Sequence, residues 1–400
     1  MGKRAAAIVG LSEWKAQRTW ERPLFAMEAM AQLAAETLAD AGVAKDDVDG
    51  LVIVAVAESP MFAPSAVAEY LGIRSNFNEI VDLGGATAAG MIWRAAAAIE
   101  VGVCDTVLVL VPGAPAPLQP QSPSAPGSAL AYNTYMGGDA WGSPQALYDI
   151  PAGLVAAVPS YAMLAQRYRA IYGLSEEALA EIAVAERYNA QANPQAIFYG
   201  KPITVEDVMA SRRVADPLKL LEIVMPCFGG AALLLTRADR ALGGRHRPVF
   251  VSGYGEHLTH KSITNMPDFL RTPITVAAER AFRMAGVSRK AVDLASIYDC
   301  FTIAVMLTIE GAGFCAPGQG CDFIREHNLR YDGDWPLNTH GGQLAFGQAR
   351  AAGGMSHFTE AVRQIQGRAG ERQLKRCDIA YGNGTGGMMS EQVALILEGA

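Results

Sequence analysis

The stretch Asp82-Leu83-Gly84-Gly85-Ala86-Thr87-Ala88-Ala89-Gly90, continued by Met91 to Glu100, decides how this chain is read. It follows an apolar strand candidate, Asn78 to Leu83, and leads into apolar residues at helical spacing, so its glycines mark a strand-to-helix turn. Such a turn lifts one residue to a helix N-terminus, where backbone N–H groups and the helix dipole stabilise negative charge. Upstream, Ala5 to Gly10 and Val48 to Ala57 read as strands, with helices at Pro23 to Ala41 (closed by Gly42) and Pro64 to Leu71. Downstream, Met91 to Val101 reads as a helix and Thr106 to Val111 as the next strand. Strands this uniformly apolar, alternating with helices, imply a parallel or mixed sheet covered on both faces.

Length and composition narrow the function classes. The chain has 400 residues, half of them hydrophobic and 18% charged, which suits a well-buried α/β protein of two core units or one duplicated domain. A net charge of −7 without a Lys/Arg cluster argues against a nucleic-acid partner. No apolar run approaches the roughly 20 residues of a membrane span, and Met1-Gly2-Lys3-Arg4 leads straight into a strand, so a cytoplasmic location is expected. Cys104, Cys227, Cys300, Cys315, Cys321 and Cys377 make no C-x-x-C pair and have no histidine at metal-ligand spacing, so free thiols and no metal are expected. Cys300 is the best placed of them to act as a nucleophile.

Beyond Val111 the character changes. Prolines crowd Pro112 to Pro144 among Gly, Ser and Gln, and Tyr132, Tyr135, Trp141 and Tyr148 make the stretch look like the cover of a site or interface, not a linker. Ala156 to Asn193 is helical in pattern, with Ser175-Glu176-Glu177 capping a second helix. The second half then repeats the first in outline. Ala41-Gly42-Val43 with Val48-Asp49 recurs as Ala285-Gly286-Val287 with Val292-Asp293, at a constant offset of 244. Cys104-Asp105 before a strand is echoed by Cys377-Asp378 before Ile379 to Tyr381, and Gly84-Gly85 by Gly341-Gly342. This organisation implies a first half of residues 1–112 and 205–242, an inserted loop and helical cap at 113–204, and a second half of 243–400. Two such halves are expected to face their turns toward each other, where ligands bind beyond strand ends.

Three segments of the second half concentrate unusual residue choices: Tyr298-Asp299-Cys300-Phe301-Thr302, Pro336-Leu337-Asn338-Thr339-His340-Gly341-Gly342, and Ala380-Tyr381-Gly382-Asn383-Gly384-Thr385-Gly386-Gly387, the last read as a turn between strands. With these, and with Arg212-Arg213-Val214-Ala215-Asp216-Pro217-Leu218, the chain resembles the thiolase superfamily over nearly its whole length, in the sterol-carrier-type branch. That likeness implies a duplicated five-layer α/β/α/β/α fold with an inserted loop and cap, each half a five-stranded sheet, and a tight homodimer. The family's nucleophilic cysteine falls on Gly85, its His-Asp-Cys-Phe segment begins here with Tyr298, and its Gly-His-Pro becomes Gly347-Gln348-Ala349. Thiolytic chemistry needs a thiolate and a base to make it, and both positions are substituted.

The chain is also similar to the cysteine-less, lipid-transfer-protein-like retro-aldolases of steroid side-chain degradation, which open the first segment with Tyr-Asp-Cys-Phe. Their resemblance implies cleavage of a bulky β-hydroxyacyl-CoA, with coenzyme A entering as part of the substrate and no tightly bound cofactor. It implies catalytic roles for Tyr298, His340 and Gln348, although Gln348 stands where that group has a second tyrosine. Gly85, Asp299, Cys300, Gly342, Tyr381 and Asn383 would line the substrate, Arg212 and Arg213 would meet its phosphates, and a small OB-fold subunit would help hold the acyl-CoA. Tyrosine ionises near pH 10 when unperturbed, so Tyr298 needs a neighbouring donor or cation, for which His340 is the candidate in sequence terms. Read as residues alone, Asp299 caps the next helix and His357 is a structural residue on the amphipathic helix Met355 to Ile365. Two further readings stand beside the lyase: a non-catalytic acyl-CoA-binding subunit of a complex, and a condensing acyltransferase whose nucleophile is Cys300.

Overall fold

A computed structural model describes residues 4–19, 24–113, 143–154 and 156–400. Most of the Pro-rich segment, with Tyr132, Tyr135 and Trp141, lies outside the described residues, and Tyr148 is exposed. The strands are β1 (Ala6–Glu13), β2 (Gly50–Ile53), β3 (Phe77–Ile80), β4 (Thr106–Gly113), the short ribbon β5 (Arg213–Ala215) and β6 (Leu218–Lys219), then β7 (Gly229–Arg237), β8 (Val249–Leu258), β9 (Leu294–Ser296), β10 (Ile379–Gly386) and β11 (Glu391–Gly399). All but the ribbon form one mixed sheet of nine strands in the order β3-β2-β4-β7-β1-β8-β11-β10-β9. The two halves meet where β1 pairs with β8 through only Ala7–Phe250 and Ile8–Val249.

Burial explains the layers. Successive side chains of a strand point to opposite faces. Along β4, Val107, Val109 and Val111 enter one apolar core, while Leu108 and Leu110 enter another. Along β11, Val393, Leu395 and Leu397 enter the first of those cores, and Ala394 and Ile396 enter a third. The shared core holds α3 (Thr87–Glu100) and a long C-terminal helix at Ala351–Ile365, both packed against strands of the two halves. On the outer face of the first half lie α1 (Ala26–Ala41) and α2 (Ala63–Leu71). Outside the second half lie α4 (Ala157–Tyr172) and α5 (Glu176–Gln191), with α6 (Val205–Ala210) packed on α5; α7 (Ala238–Ala241) returns to the outer core of the first half, and α8 (Ile274–Ala285), α9 (Thr302–Gly311) and α10 (Gly320–Glu326) lie over the second. The C-terminal helix is therefore α11. Helix, sheet, helix, sheet, helix is the five-layer order.

The internal repeat is physical as well as textual. α1 and α8 end in left-handed glycines, Gly42 at φ 68° and Gly286 at φ 73°, each followed by a one-turn 3-10 segment, 45–47 and 289–291. Asp49 then accepts hydrogen bonds from the N–H groups of Asp105 (2.9 Å) and Thr106 (2.8 Å), tying β2 to the start of β4. Asp293 does the same for Asp378 (2.9 Å) and Ile379 (3.0 Å), tying β9 to β10.

Two expectations fail. Among the described residues the first half contributes five strands to the sheet, and the second contributes four. The place of its fifth is taken by one parallel bridge, Ala295–Leu337. Pro336 has no N–H to donate and Asn338 turns at φ 45°, so pairing cannot extend in either direction. The Tyr381 to Gly386 segment, expected as a turn, is strand β10 throughout.

Candidate functional site

Two asparagines position the segment after β9. The N–H of Ile297 donates to Asn338 Oδ1 (2.8 Å) while Asn338 Nδ2 donates back to the Ile297 carbonyl (2.8 Å). The N–H of Tyr298 donates to Asn383 Oδ1 (2.9 Å), from the buried face of β10. Held at both residues, the chain sends the Tyr298 side chain to the turn before α3. A Cβ on Gly85 would overlap the Tyr298 hydroxyl and the Thr385 carbonyl and lie 2.5 Å from Tyr298 Cζ. The space a side chain at position 85 would take is filled by the Tyr298 phenol.

Two helix N-termini converge there. A Cβ on Gly354, in the first turns of α11, would lie 2.9 Å from the Gly85 carbonyl and 3.3 Å from Tyr298 Cε2. Neither α3 nor α11 has a side-chain cap on its N-terminus. Helix N-termini carry partial positive charge, so both favour negative charge near the Tyr298 oxygen. The expected partner of the Gly84-Gly85 turn was Gly341-Gly342. The structure puts Gly353 and Gly354 in that role.

The α11 start gathers the other polar groups. His357 Nε2 lies 3.0 Å from Asp299 Oδ1, both side chains fully buried, and the His357 ring centre is 6.0 Å from that of Tyr298. Asp299 also accepts the N–H groups of Gln343 and Leu344, each at 2.8 Å. Burial alone would raise the Asp299 carboxyl; the hydrogen bond and charge of His357 outweigh it and hold the group below the usual carboxylate range. Asp299 thus anchors a loop and a histidine, and α9 begins without a side-chain cap. His357, expected as a structural residue of its helix, thus pairs with Asp299 and borders Tyr298.

Glu186 of α5 completes this group. It is fully buried, accepts from Asn338 Nδ2 (2.6 Å) and shares a hydrogen bond with Asp299. Burial first, then the Asp299 charge, raises its carboxyl well above the ordinary range. Gly342, at φ 58°, leaves room for the pair: a Cβ there would overlap Asp299 Oδ2 and lie 2.9 Å from Glu186 Cδ. Sequence reading missed Glu186, although it and Asn189 continue the three-and-four spacing of Leu179 and Ile182 on the apolar face of α5.

His340 stacks edge-on to His357 at 5.2 Å between ring centres. Ser356 Oγ donates to the Gly353 carbonyl (2.6 Å), so it accepts from His340 Nε2 (3.1 Å). Burial first, then repulsion from His357, pushes His340 down to about 3, so it is neutral at ordinary pH with Nδ1 as a lone-pair acceptor. Beneath it, Glu360 takes hydrogen bonds from Thr339 and Arg372.

The remaining expected residues scatter. Gln348 is half-buried, with Cγ 3.1 Å from a Cβ placed on Gly353, so Tyr298, His340 and Gln348 all border the first turns of α11. Cys300 is buried and its thiol is pushed up to about 12, chiefly by burial, so at neutral pH it carries no thiolate. Tyr381 stacks on Phe282 at 5.6 Å within the outer core, and Asn383 holds the Tyr298 backbone. Arg213 is exposed and ion-paired with Glu176 and Asp216, while Arg212 is exposed beside it.

The chain is similar to known proteins. Residues 255–399 match the thiolase C-terminal domain-like family. A steroid side-chain-cleaving aldolase of Thermomonospora curvata is 32% identical over 397 residues, covering 96% of this chain and 95% of the relative. A 17-hydroxy-3-oxo-4-pregnene-20-carboxyl-CoA lyase of Mycobacterium tuberculosis is 32% identical over 369 residues, covering 90% and 92%. The solved Ltp2-ChsH2(DUF35) aldolase superposes with a TM-score of 0.84 at 28% identity, covering 99% of this chain and 98% of that one.

Proposed function

The chain belongs to the thiolase superfamily, in the aldolase-type group of its sterol-carrier-like branch, and from that premise we propose that it is a carbon–carbon lyase acting on a bulky β-hydroxyacyl-CoA. The observation that carries this reading is the Tyr298 phenol in the space beside Gly85. A retro-aldol cleavage needs a proton acceptor and an electrophilic site, and no covalent intermediate. The β-hydroxyl gives up its proton, its oxygen forms the carbonyl of a leaving ketone or aldehyde, and the Cα–Cβ bond breaks. That electron pair moves onto the thioester as an enolate, which takes a proton at Cα to become a short acyl-CoA.

Tyr298 is the group we assign to the β-hydroxyl proton. The uncapped starts of α3 and α11 favour its ionised form and the enolate. His340, neutral with a free Nδ1 lone pair, and Gln348 are assigned to hydrogen-bonding the substrate. Asn383 and Gly342 set the backbone that carries these groups, and Arg212 is the better of the two arginines for a CoA phosphate, because Arg213 is engaged with two acids. The superposed Ltp2-ChsH2(DUF35) aldolase is named for two components, which supports a small OB-fold partner here, and the fold supports a homodimer. Purified protein, alone and with such a partner, is incubated with β-hydroxyacyl-CoA thioesters bearing polycyclic acyl groups. Release of acetyl- or propionyl-CoA is expected, and tight binding without turnover would instead favour the non-catalytic subunit.

A further inference from the structure

The cap and the site are joined by an acid that the retro-aldol chemistry does not itself require. Glu186 stands on α5, outside the second-half sheet, yet its carboxyl reaches the Asp299–His357 pair behind Tyr298. Asn338 donates to Glu186 Oε1, and among the described residues no N–H donates to Oε2. An ionised Glu186 would thus put a half-satisfied carboxylate against the Asp299 carboxylate. Protonated, Oε2 becomes a donor aimed at Asp299, and every oxygen of the pair has a use.

We propose that Glu186 is a positioning residue of the site, which as a neutral acid donates its proton in a hydrogen bond to Asp299 and so fixes the Asp299–His357 pair behind Tyr298. Its effect reaches the reaction through His357: Asp299 orients that ring only while it is itself held, by the Gln343 and Leu344 amides on one side and by Glu186 on the other. The titratable groups facing the assembly are Asp299 and His357, His340 edge-on to His357, the Glu360–Arg372 pair below His340, and Tyr298. Among the described residues no lysine or arginine forms an ion pair with Glu186, and His357 pairs with Asp299. Raising the pH until Glu186 ionises would set two carboxylates against each other and release the histidine. The cap would then loosen from the catalytic floor at the same step.

The kinetic arm of the test rests on the lyase reading, and a spectroscopic arm does not. In the first, kcat is followed against pH for the wild type, Glu186→Gln and Glu186→Ala, with the partner present if it is needed. The amide of Glu186→Gln donates at every pH, so its profile should lack the alkaline fall of the wild type, whereas Glu186→Ala should lose at least tenfold in kcat with KM little changed. Superimposable wild-type and Glu186→Gln profiles, or an unaltered kcat in Glu186→Ala, would overturn the proposal. In the second, the infrared carbonyl band of a buried neutral carboxylic acid should be present in the wild type at neutral pH, vanish on alkaline titration and be missing from Glu186→Gln. If the wild type yields no short acyl-CoA, the lyase reading fails alone and the infrared band still decides Glu186; a spectrum without that band overturns the assignment.

Discussion

The hydroxyl of Tyr298 occupies the volume in which a side chain at Gly85 would stand. The two residues are 213 positions apart in the chain, and each accounts for the other. A cysteine at 85 requires the phenol to leave, and a phenol in that place requires glycine at 85. Glycine at 85 and the Tyr298 phenol are sterically one arrangement.

Restoring the cysteine should therefore not restore thiolase chemistry. Gly85→Cys and Gly85→Ala are expected to lose stability by about 1–3 kcal/mol, the usual cost of overpacking a filled site. Both should lose lyase activity as Tyr298 is displaced, and intact-protein mass spectrometry after acyl-CoA incubation should show no acyl adduct in Gly85→Cys.

Tyr298→Phe removes the hydroxyl and keeps the ring packing. Lyase kcat should fall on the order of 10²–10⁴-fold, the range for loss of a general acid or base. Stability should change by no more than about 1 kcal/mol, read from urea unfolding. Full activity in this variant would end the assignment.

Cys300 should be inert. Its thiol is pushed up to about 12, so iodoacetamide at neutral pH should leave it unmodified in the folded protein and alkylate it after denaturation. Peptide mass spectrometry reads both states. Rapid labelling of the native protein would revive the condensing alternative.

The buried Glu360–Arg372 pair should show in the acid limb of stability. Burial raises the Glu360 carboxyl, but Arg372 outweighs it and holds the group at about 2 against an ordinary 4.5. The unfolded chain therefore binds more protons between those values, so stability rises with pH across the window and is lost as pH falls toward 2. The contribution is roughly 3 kcal/mol, from the 1.36 kcal/mol carried by each unit. Arg372→Met should destabilise by about 3–5 kcal/mol at pH 7, because a buried carboxylate loses its partner, and should flatten the acid limb in urea titrations.

Much of the architecture was open to reading along the chain, because local physics writes it there. Strand–helix alternation, the left-handed glycines 42 and 286 and the repeated Asp49 and Asp293 all follow from short-range geometry, and the duplication appears as a constant spacing. Tyr298, Asn338 and His340 stood out because polar residues cluster at strand ends only for a reason. The missing fifth strand was foreseeable in principle from Pro336, yet its consequence depends on where β9 lies. Tyr381 and Asn383 were misread as turn residues since their glycines look like loop, whereas in β10 those glycines let Phe358 and α3 approach closely.

By itself, then, the order of residues determined the layered α/β fold, its repeat and the absence of a nucleophile at position 85. What it left undecided was which side chains meet. His357 and Glu186 resembled ordinary members of amphipathic helices until α11 and α5 were packed on one loop, where burial forces each polar atom to find a partner. Only that packing joins Glu186, Asp299 and His357 behind Tyr298, because desolvation acts on neighbours in space and takes no account of distance along the chain.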